Sequence, residues 1–223
     1  MIPLQARANG ELSHRLGNGV EAALFSFGSG LIIVAIFALS NRQVREGVSR
    51  LRLAVARKAF PRWTLFAGML GGTFVAIQTH VVPFIGVAIY TVASLAGQTA
   101  TSLLVDRMGL TGGGKKHITS RRILAATLTV FAVFVSVLDR INAADLNFLY
   151  VSLACIAGAV VGIQRALNGR INEYSQQSFA TSLLNFIMGT TFLVIFLAIL
   201  VAINSEELVP LPAGPWWIYT GGV

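Results

Sequence analysis

The sequence contains few charged residues: they make up 12% of its 223 residues, and only 9 are acidic. A soluble globular domain has roughly a quarter of its residues charged, because its surface must face water. This scarcity excludes an ordinary soluble domain. With 55% hydrophobic residues and a mean hydropathy of +0.72, the chain instead has the composition of a membrane protein whose surface is covered by lipid.

Cysteine is nearly absent, and the single one, Cys155, lies within the apolar run LYVSLACIAGAVVG. This excludes an intramolecular disulfide and a metal site built from several cysteines. His80 and His117 have no carboxylate, cysteine or histidine at ligand spacing, so no metal is expected. No catalytic triad or paired-carboxylate motif occurs at useful spacing, so we expect neither an enzyme nor a cofactor. The first residues also lack the features of a secretory signal.

The 17 Lys and Arg residues concentrate between apolar segments. Seven lie between residues 40 and 62 and five between 107 and 122, a distribution typical of cytoplasmic loops and not of a nucleic-acid-binding surface. The segment 203–215 contains no Lys or Arg but has Glu206 and Glu207. We therefore expect the two basic loops to face the cytoplasm, the segment 203–215 to face outward, and no nucleic-acid partner.

Six windows of about 20 mostly apolar residues match the thickness of the hydrocarbon core. They lie at 20–39, 63–80, 84–105, 123–140, 148–170 and 179–203, and two partial windows flank them at 1–14 and 215–223. Two crossings separate the basic loops, and three more lead to the acidic segment, so the count agrees with the charges. The expected fold class is an all-α membrane protein.

The chain aligns with itself at an offset of 159 residues, which places QARANGEL over QRALNGRI. Gln5 then meets Gln164, and Asn9 meets Asn168. One repeat unit holds five helices, and an odd number of helices inverts the second unit in the membrane. The loss of basic charge from the equivalent loop of the second unit is what such an inversion requires. We therefore expect an inverted repeat of five-helix units.

The repeat also indicates the extent of each unit. The segment PRWTLFAGM at 61–69 matches PWWIYTGGV at 215–223. Mapped through the repeat, about 11 residues of the first helix and about 72 residues of the second unit have no counterpart in the chain. We therefore expect a fragment of a ten-helix protein, with a first unit at 1–141 whose first helix is incomplete and a partial, inverted unit at 148–223.

The run PFIGVAIYTVASLAGQTATSLLVDRMGLTGG contains a Gly-Gln pair followed by Ser-Leu-x-x-Asp and a Gly-rich turn, at Gly97, Gln98, Ser102, Leu103, Asp106 and Gly109. This run resembles the fourth-helix signature of the YdcZ-like family of the drug/metabolite transporter superfamily. The two Gln-x-x-x-Asn motifs, the Ser-Phe-x-x-Gly that begins at Ser26 and the Pro-Trp-Trp at 215–217 are similar to that family as well. The resemblance implies a bacterial inner-membrane protein of ten helices in two inverted five-helix units, acting as an exporter.

Polar side chains within the apolar segments are the candidates for a substrate pathway. Gln5 and Asn9 are four residues apart, as are Gln164 and Asn168, so each pair lies on one face of its helix. Symmetric carboxamides could line a midplane cavity between the repeats and would suit a polar or cationic substrate. Interhelical hydrogen bonding explains their symmetry equally well.

Three further polar residues occur later in the sequence. Gln98 shares a helix face with Ser94 and is a second pathway candidate, with helix packing as the alternative. Asp106 could relay a proton, but its neighbour Arg107 at the helix end favours a structural ion pair. Arg165 is expected to extend toward the cytoplasm and not to bind substrate.

These observations favour a secondary transporter that exports a small molecule by alternating access between two inverted bundles. Its expected partners are the lipid bilayer and a small-molecule substrate, and assembly as a homo-oligomer is left open. The alternative is an integral membrane protein that does not transport, or an inactive truncated remnant of a transporter.

Overall fold

The computed structural model describes residues 2–110, 119–141, 148–203 and 208–222. Over these residues the chain forms seven α-helices and two 3-10 helices and no strand, which confirms the expected all-helical fold. The α-helices are α1 (Ile2–Leu16), α2 (Gly19–Ser40), α3 (Arg42–Ala56), α4 (Ala67–Met108), α5 (Ser120–Ile141), α6 (Phe148–Ser175) and α7 (Ser178–Ala202). The 3-10 helices cover Arg62–Phe66 and Trp216–Tyr219.

Several of these helices are long and apolar enough to cross a membrane. In the described part of the chain, four stretches meet this condition: Gly19–Ser40, Arg62–Met108, Phe148–Ser175 and Ser178–Ala202. α2 exposes the large apolar side chains of Ile32, Ile36 and Leu39, as expected where lipid replaces water. α5 contains a shorter apolar stretch, Ile123–Ala132. The total of six crossings therefore stays a prediction.

α4 folds back on itself at Gly86. The backbone there has φ 77° and ψ 162°, which glycine adopts readily, and Pro83 lies three residues before it. The ring centroids of Phe74 and Tyr90 lie 6.2 Å apart, whereas two residues separated by 16 positions would be about 24 Å apart along a straight helix. α4 is therefore a hairpin of two helical arms. The arms cover residues 67–85 and 87–108, close to the predicted windows 63–80 and 84–105.

The basic stretch 40–62, expected as a loop, contains helix α3. The Asn41 side chain caps this helix by accepting hydrogen bonds from two backbone N–H groups at 2.9 and 3.3 Å. Val44, Gly47 and Leu51 are buried, while most of the arginines are exposed. This spacing is that of an amphipathic helix. The helix was not predicted, because the basic charge of the stretch alone indicates a loop.

α3 is attached to the end of α6. Arg50 Nε donates a hydrogen bond to the Ser175 carbonyl oxygen at 3.0 Å, and the Tyr174 hydroxyl donates to the Ala59 carbonyl oxygen at 3.0 Å. The basic helix therefore lies at the end of the bundle where α2 and α6 end and α7 begins. Two lysines of the other basic loop, Lys115 and Lys116, lie outside the described residues.

The segment after α7 lies at the opposite end of the bundle. Arg15 Nη1 donates to the Ala213 carbonyl oxygen at 3.2 Å, and the Val209 N–H donates to Glu21 Oε2 at 3.4 Å. Because α1 ends and α2 begins there, this end is opposite to α3. Glu206 and Glu207 of the expected outward segment lie outside the described residues.

The two partial windows differ in outcome. The window at 1–14 corresponds to helix α1. The window at 215–223 was expected as a partial membrane helix, but its regular part is the 3-10 helix Trp216–Tyr219. Two glycines follow that helix, and they allow the backbone to approach α1 and α2: a methyl group added to Gly222 would lie 2.8 Å from the Gly30 nitrogen.

α4 and α6 pack against each other through their backbones. A methyl group added to Gly158 would lie 2.7 Å from the Ser94 carbonyl carbon, and one added to Gly97 would lie 2.9 Å from the Cys155 carbonyl carbon. Small residues at such contacts are typical of helices that associate in membranes. The second arm of α4 and α6 therefore form one closely packed pair.

α2 and α7 meet through residues that the 159-residue offset relates. A methyl group added to Gly30 would lie 2.5 Å from Phe186 Cε1, and one added to Gly189 would lie 2.7 Å from Phe27 Cδ1. The rings of Phe27 and Phe186 pack edge to face, with centroids 5.4 Å apart and an interplanar angle of 62°. The offset relates Gly30 to Gly189 and Phe27 to Phe186. The contact of Gly30 with Phe186 and the contact of Gly189 with Phe27 are therefore equivalent contacts with the two helices exchanged.

Candidate functional site

A cavity of about 210 Å³ lies between α1, α2, α4, α6 and α7. Its polar lining comes from the carboxamides of Gln5 and Gln164 and from Ser26. The Ser26 hydroxyl is buried and has no hydrogen-bond partner among the described residues. Gly71 makes room for one carboxamide, because a methyl group there would lie 3.1 Å from Gln164 Cδ. The cavity thus brings together two of the predicted pathway residues from opposite halves of the chain.

The rest of the cavity wall is largely aromatic. Phe27, Phe74 and Phe186 line it, and an apolar wall with a few polar groups is typical of a small-molecule site. Arg165 also lines the cavity, and among the described residues no carboxylate does. The Arg165 side chain is exposed, and its position at the cavity was not expected.

Asn9 lies one helical turn beyond Gln5 and belongs to a buried polar cluster. Asn9 and Gln78 are both fully buried, and Asn9 Nδ2 donates to Gln78 Oε1 at 3.1 Å. The buried Tyr90 hydroxyl faces the Gln78 side chain. Nevertheless, within the part of the chain that the structure describes, Asn9 Oδ1, Gln78 Nε2 and the Tyr90 hydroxyl have no hydrogen-bond partner within 3.5 Å.

Unsatisfied polar atoms are costly in an apolar interior, so these atoms are available to a ligand or to water. If both amides of the Asn9–Gln78 pair were turned over, the pair would still leave one donor and one acceptor unpaired. The cluster therefore offers polar contacts in either orientation.

Gln78 and Tyr90 were not among the predicted site residues. Gln78 is a polar residue within an apolar window, and such a residue must face protein or a wet cavity. That signal was present in the sequence. The predicted windows 63–80 and 84–105 separate the two arms of α4, but they do not reveal that Gln78 contacts Asn9 of α1 and faces Tyr90 of the other arm.

Asn168 lies one helical turn beyond Gln164 on α6, as Asn9 lies beyond Gln5 on α1. Its side chain is half-buried, and its Oδ1 has no hydrogen-bond partner. The two asparagines, although they correspond in the repeat, therefore have different surroundings.

The remaining candidates lie away from the cavity. Gln98 is buried beside α6, where its Nε2 donates to Ser94 Oγ at 3.1 Å and its Oε1 has no partner. Asp106 is buried at the end of α4, and its backbone carbonyl accepts a hydrogen bond from the Gly109 N–H at 3.3 Å. The structure does not bring either residue to Gln5 and Gln164.

A second, more polar groove of about 400 Å³ opens toward the other end of α1. It is lined in part by Arg7, Glu11, His14 and Trp217. Glu11 Oε1 accepts a hydrogen bond from Arg15 Nε at 2.7 Å, so the glutamate has a cationic partner on its own helix. The guanidinium of Arg7 lies over the Trp217 ring, 5.4 Å from its centroid.

Comparison with known proteins identifies the family of this chain. A family model described as "Putative inner membrane exporter, YdcZ" matches residues 1–135 and 149–223. No curated protein and no solved structure matches the chain. The match covers nearly the whole chain and confirms the resemblance seen in its motifs, and an exporter family is a class of transporters and not of enzymes. The chain therefore belongs to the YdcZ family of inner-membrane exporters and is a transporter of the inner membrane.

Proposed function

We propose that the chain is a secondary transporter that moves a small molecule outward by alternating access, with the cavity between Gln5 and Gln164 as its substrate site. The observation that carries this proposal is that these two glutamines, 159 residues apart, line one cavity. Transporters built from inverted repeats bind substrate at the repeat interface, where corresponding residues of the two units meet. The exporter family supports the outward direction.

The proposal includes two inverted units, the second of which begins with α6. The reciprocal contacts between α2 and α7 support this arrangement. A local two-fold axis would relate the contact of Gly30 with Phe186 to the contact of Gly189 with Phe27. A second pair of contacts adds support. Gly68 corresponds to Gly222, and Ser26 corresponds to Asn185. A methyl group added to Gly68 would lie 2.8 Å from Asn185 Cα, and one added to Gly222 would likewise contact the backbone of Ser26.

The proposed orientation places the loops 40–62 and 107–122 in the cytoplasm and the segment 203–215 outside. The seven basic residues of the first loop support this assignment, because basic loops are retained on the cytoplasmic side. The location of residues 208–215 at the end opposite to α3 is consistent with it. In this orientation the cavity at Gln5 is nearer the cytoplasm, and the groove at Glu11 is nearer the outside.

Labelling from each side of the membrane tests alternating access without knowledge of the substrate. In a Cys155→Ser background, which removes the only cysteine, the Gln164→Cys variant is treated with a membrane-impermeant maleimide in right-side-out and inside-out vesicles. Alternating access predicts labelling from both sides, because the cavity opens to each in turn. Ser152→Cys, at an exposed position of the same helix, is the control for reaction through lipid and should remain unlabelled. Labelling of Gln164→Cys from one side only would contradict the mechanism.

Accumulation in cells distinguishes a transporter from a membrane protein that does not transport. Cells that express the chain and cells with an empty vector are exposed to a panel of small acids, amines and neutral compounds, and intracellular levels are measured by mass spectrometry. An exporter lowers the level of at least one compound. Gln5→Leu and Gln164→Leu should restore that level, whereas Ser152→Leu should not. Equal levels of every compound would favour the non-transporting alternative.

A further inference from the structure

We infer that the substrate of this transporter is a small organic anion, with a carboxylate or a similar acidic group joined to an apolar, preferably aromatic, body. This inference rests on the proposed function, because it names the substrate class of the same cavity. The carboxamides of Gln5 and Gln164 alone suit polar or cationic compounds. The structure adds Arg165 to the cavity wall, and its positive charge reverses the charge expected for the substrate.

Arg165 provides that charge. It lines the cavity beside Gln164, and no carboxylate among the described residues lines it. A guanidinium stays protonated at physiological pH and binds a carboxylate through two parallel hydrogen bonds. A cationic substrate would meet a positive charge that no carboxylate of the described cavity lining compensates, and like charges repel each other. The charge of the cavity therefore selects an anion over a cation.

The aromatic wall and the size of the cavity indicate the rest of the substrate. Phe27, Phe74 and Phe186 can surround a ring or a short apolar chain, while the unpaired Ser26 hydroxyl offers one hydrogen bond. A volume of about 210 Å³ is below the roughly 300–1,000 Å³ of pockets for drug-sized ligands. A single-ring acid fits these properties better than a large drug.

The groove toward the other end of α1 repeats the same chemistry. Arg7 lies there over the Trp217 ring, and the nearby Glu11 is paired with Arg15. An anion that leaves the cavity would thus meet a second arginine beside an aromatic ring. An arginine at each site favours an anion at both.

Three compounds of nearly equal size test the inference: benzoate, benzamide and benzylamine, which are negative, neutral and positive at neutral pH. Each is titrated against the purified 223-residue chain in a nonionic detergent, and thermal unfolding is followed by intrinsic fluorescence. A ligand that binds only the folded state raises the midpoint, and at equal ligand concentration the rise is larger for the lower Kd. Benzoate should raise it most, benzamide less and benzylamine not at all.

Variants assign the preference to Arg165. Arg165→Gln should weaken the apparent affinity for benzoate about tenfold, because a charge-assisted hydrogen bond is lost. Arg170→Gln, on the same helix but outside the cavity, is the matched control and should keep the preference. Arg165→Lys retains the charge and should keep part of it, which separates loss of charge from loss of folding.

Several outcomes would overturn the inference. These are a benzylamine shift as large as that of benzoate, no shift with any of the three compounds up to the solubility limit of benzoate, or equal behaviour of Arg165→Gln and Arg170→Gln. The failure of the proposed function would look different. Benzoate would then bind through Arg165, but the Gln164→Cys variant would be labelled from one side of the membrane only.

Discussion

Gly158 of α6 and Ser94 of α4 touch through their backbones, so that a methyl group added to Gly158 would lie 2.7 Å from the Ser94 carbonyl carbon. The Ser94 hydroxyl also accepts a hydrogen bond from Gln98 at 3.1 Å. The contact fixes the distance between α4 and α6, both of which line the cavity. No side chain larger than hydrogen fits at this position without moving one of the helices.

Replacing Gly158 by alanine should therefore destabilise the protein. Overpacking of this kind costs about 1–3 kcal/mol, although alanine is the better helix former. Gly169→Ala is the matched control on the same helix, because nothing lies within 4 Å of a methyl group there, and it should be neutral or stabilising. Thermal unfolding of both variants in the same detergent measures the difference. Equal midpoints would refute the close contact.

Gly86→Ala should destabilise the α4 hairpin for a different reason. A methyl group at Gly86 meets no atom within 4 Å, but the backbone φ of 77° is unfavourable for any residue with a Cβ. The expected cost is about 1–3 kcal/mol, because this backbone region is essentially restricted to glycine. Gly28→Ala has equal space and no positive φ, so it separates backbone strain from crowding. If both variants unfold at the same temperature, α4 does not turn at Gly86 in this way.

The hydrogen bond between Asn9 and Gln78 predicts a coupling between the two residues. Asn9→Leu or Gln78→Leu alone leaves a buried amide unpaired and should cost about 1–3 kcal/mol. The double variant should cost less than the sum, with a coupling of about 0.6 kcal/mol, as is usual for hydrogen bonds between membrane helices. Chemical unfolding of the four proteins measures this cycle. Strict additivity would show that the pair makes no direct bond.

The Gln5→Leu variant separates a packing role of Gln5 from a role in transport. Gln5→Leu changes the cavity wall without removing the partner of a buried amide, so its unfolding midpoint should remain close to that of the original chain. If the glutamine contacts substrate, export should nevertheless fall. Loss of stability together with loss of export would instead identify Gln5 as a packing residue.

Arg50→Gln should loosen α3 from the bundle, because Arg50 Nε donates to the Ser175 carbonyl oxygen. The loss of about 1 kcal/mol should raise the hydrogen-exchange rates of α3 amides about fivefold. Arg52→Gln removes an equal charge at an exposed position of the same helix and serves as the control. Similar exchange in the two variants would contradict the attachment of α3 through Arg50.

Hydropathy predicts the long apolar helices well, and it fails where charge and apolar residues mix. α2 and α7 begin and end within 1 residue of their predicted windows, because their sequences are apolar on every face. α3 was missed because the buried residues Val44, Gly47 and Leu51 are dispersed among arginines. The buried residues of α3 recur with the helical period, but the mean hydropathy of a window does not depend on the order of residues within it and so does not detect that period.

The candidate site was predictable within single helices and, between helices, only for the pair that the repeat relates. The bond from Gln98 to Ser94 follows from a spacing of four residues, which places both on one helix face. The partner of Asn9 could not be predicted, because Gln78 is 69 residues away and reaches α1 only through the packing of α4. The repeat relates Gln5 to Gln164, but the sequence does not show that Arg165 lies at the same cavity.

The backbone contact between α4 and α6 determines where the molecule can deform. Sliding along this contact would force Gly97 and Gly158 over carbonyl groups of the facing helix, so the two helices should move as one rigid body. The contact between α2 and α7 is made instead by the rings of Phe27 and Phe186, whose positions depend on side-chain torsions. If transport follows the proposed alternating access, we expect the two helices to move relative to each other at these two phenylalanines, and not at the backbone contact between α4 and α6.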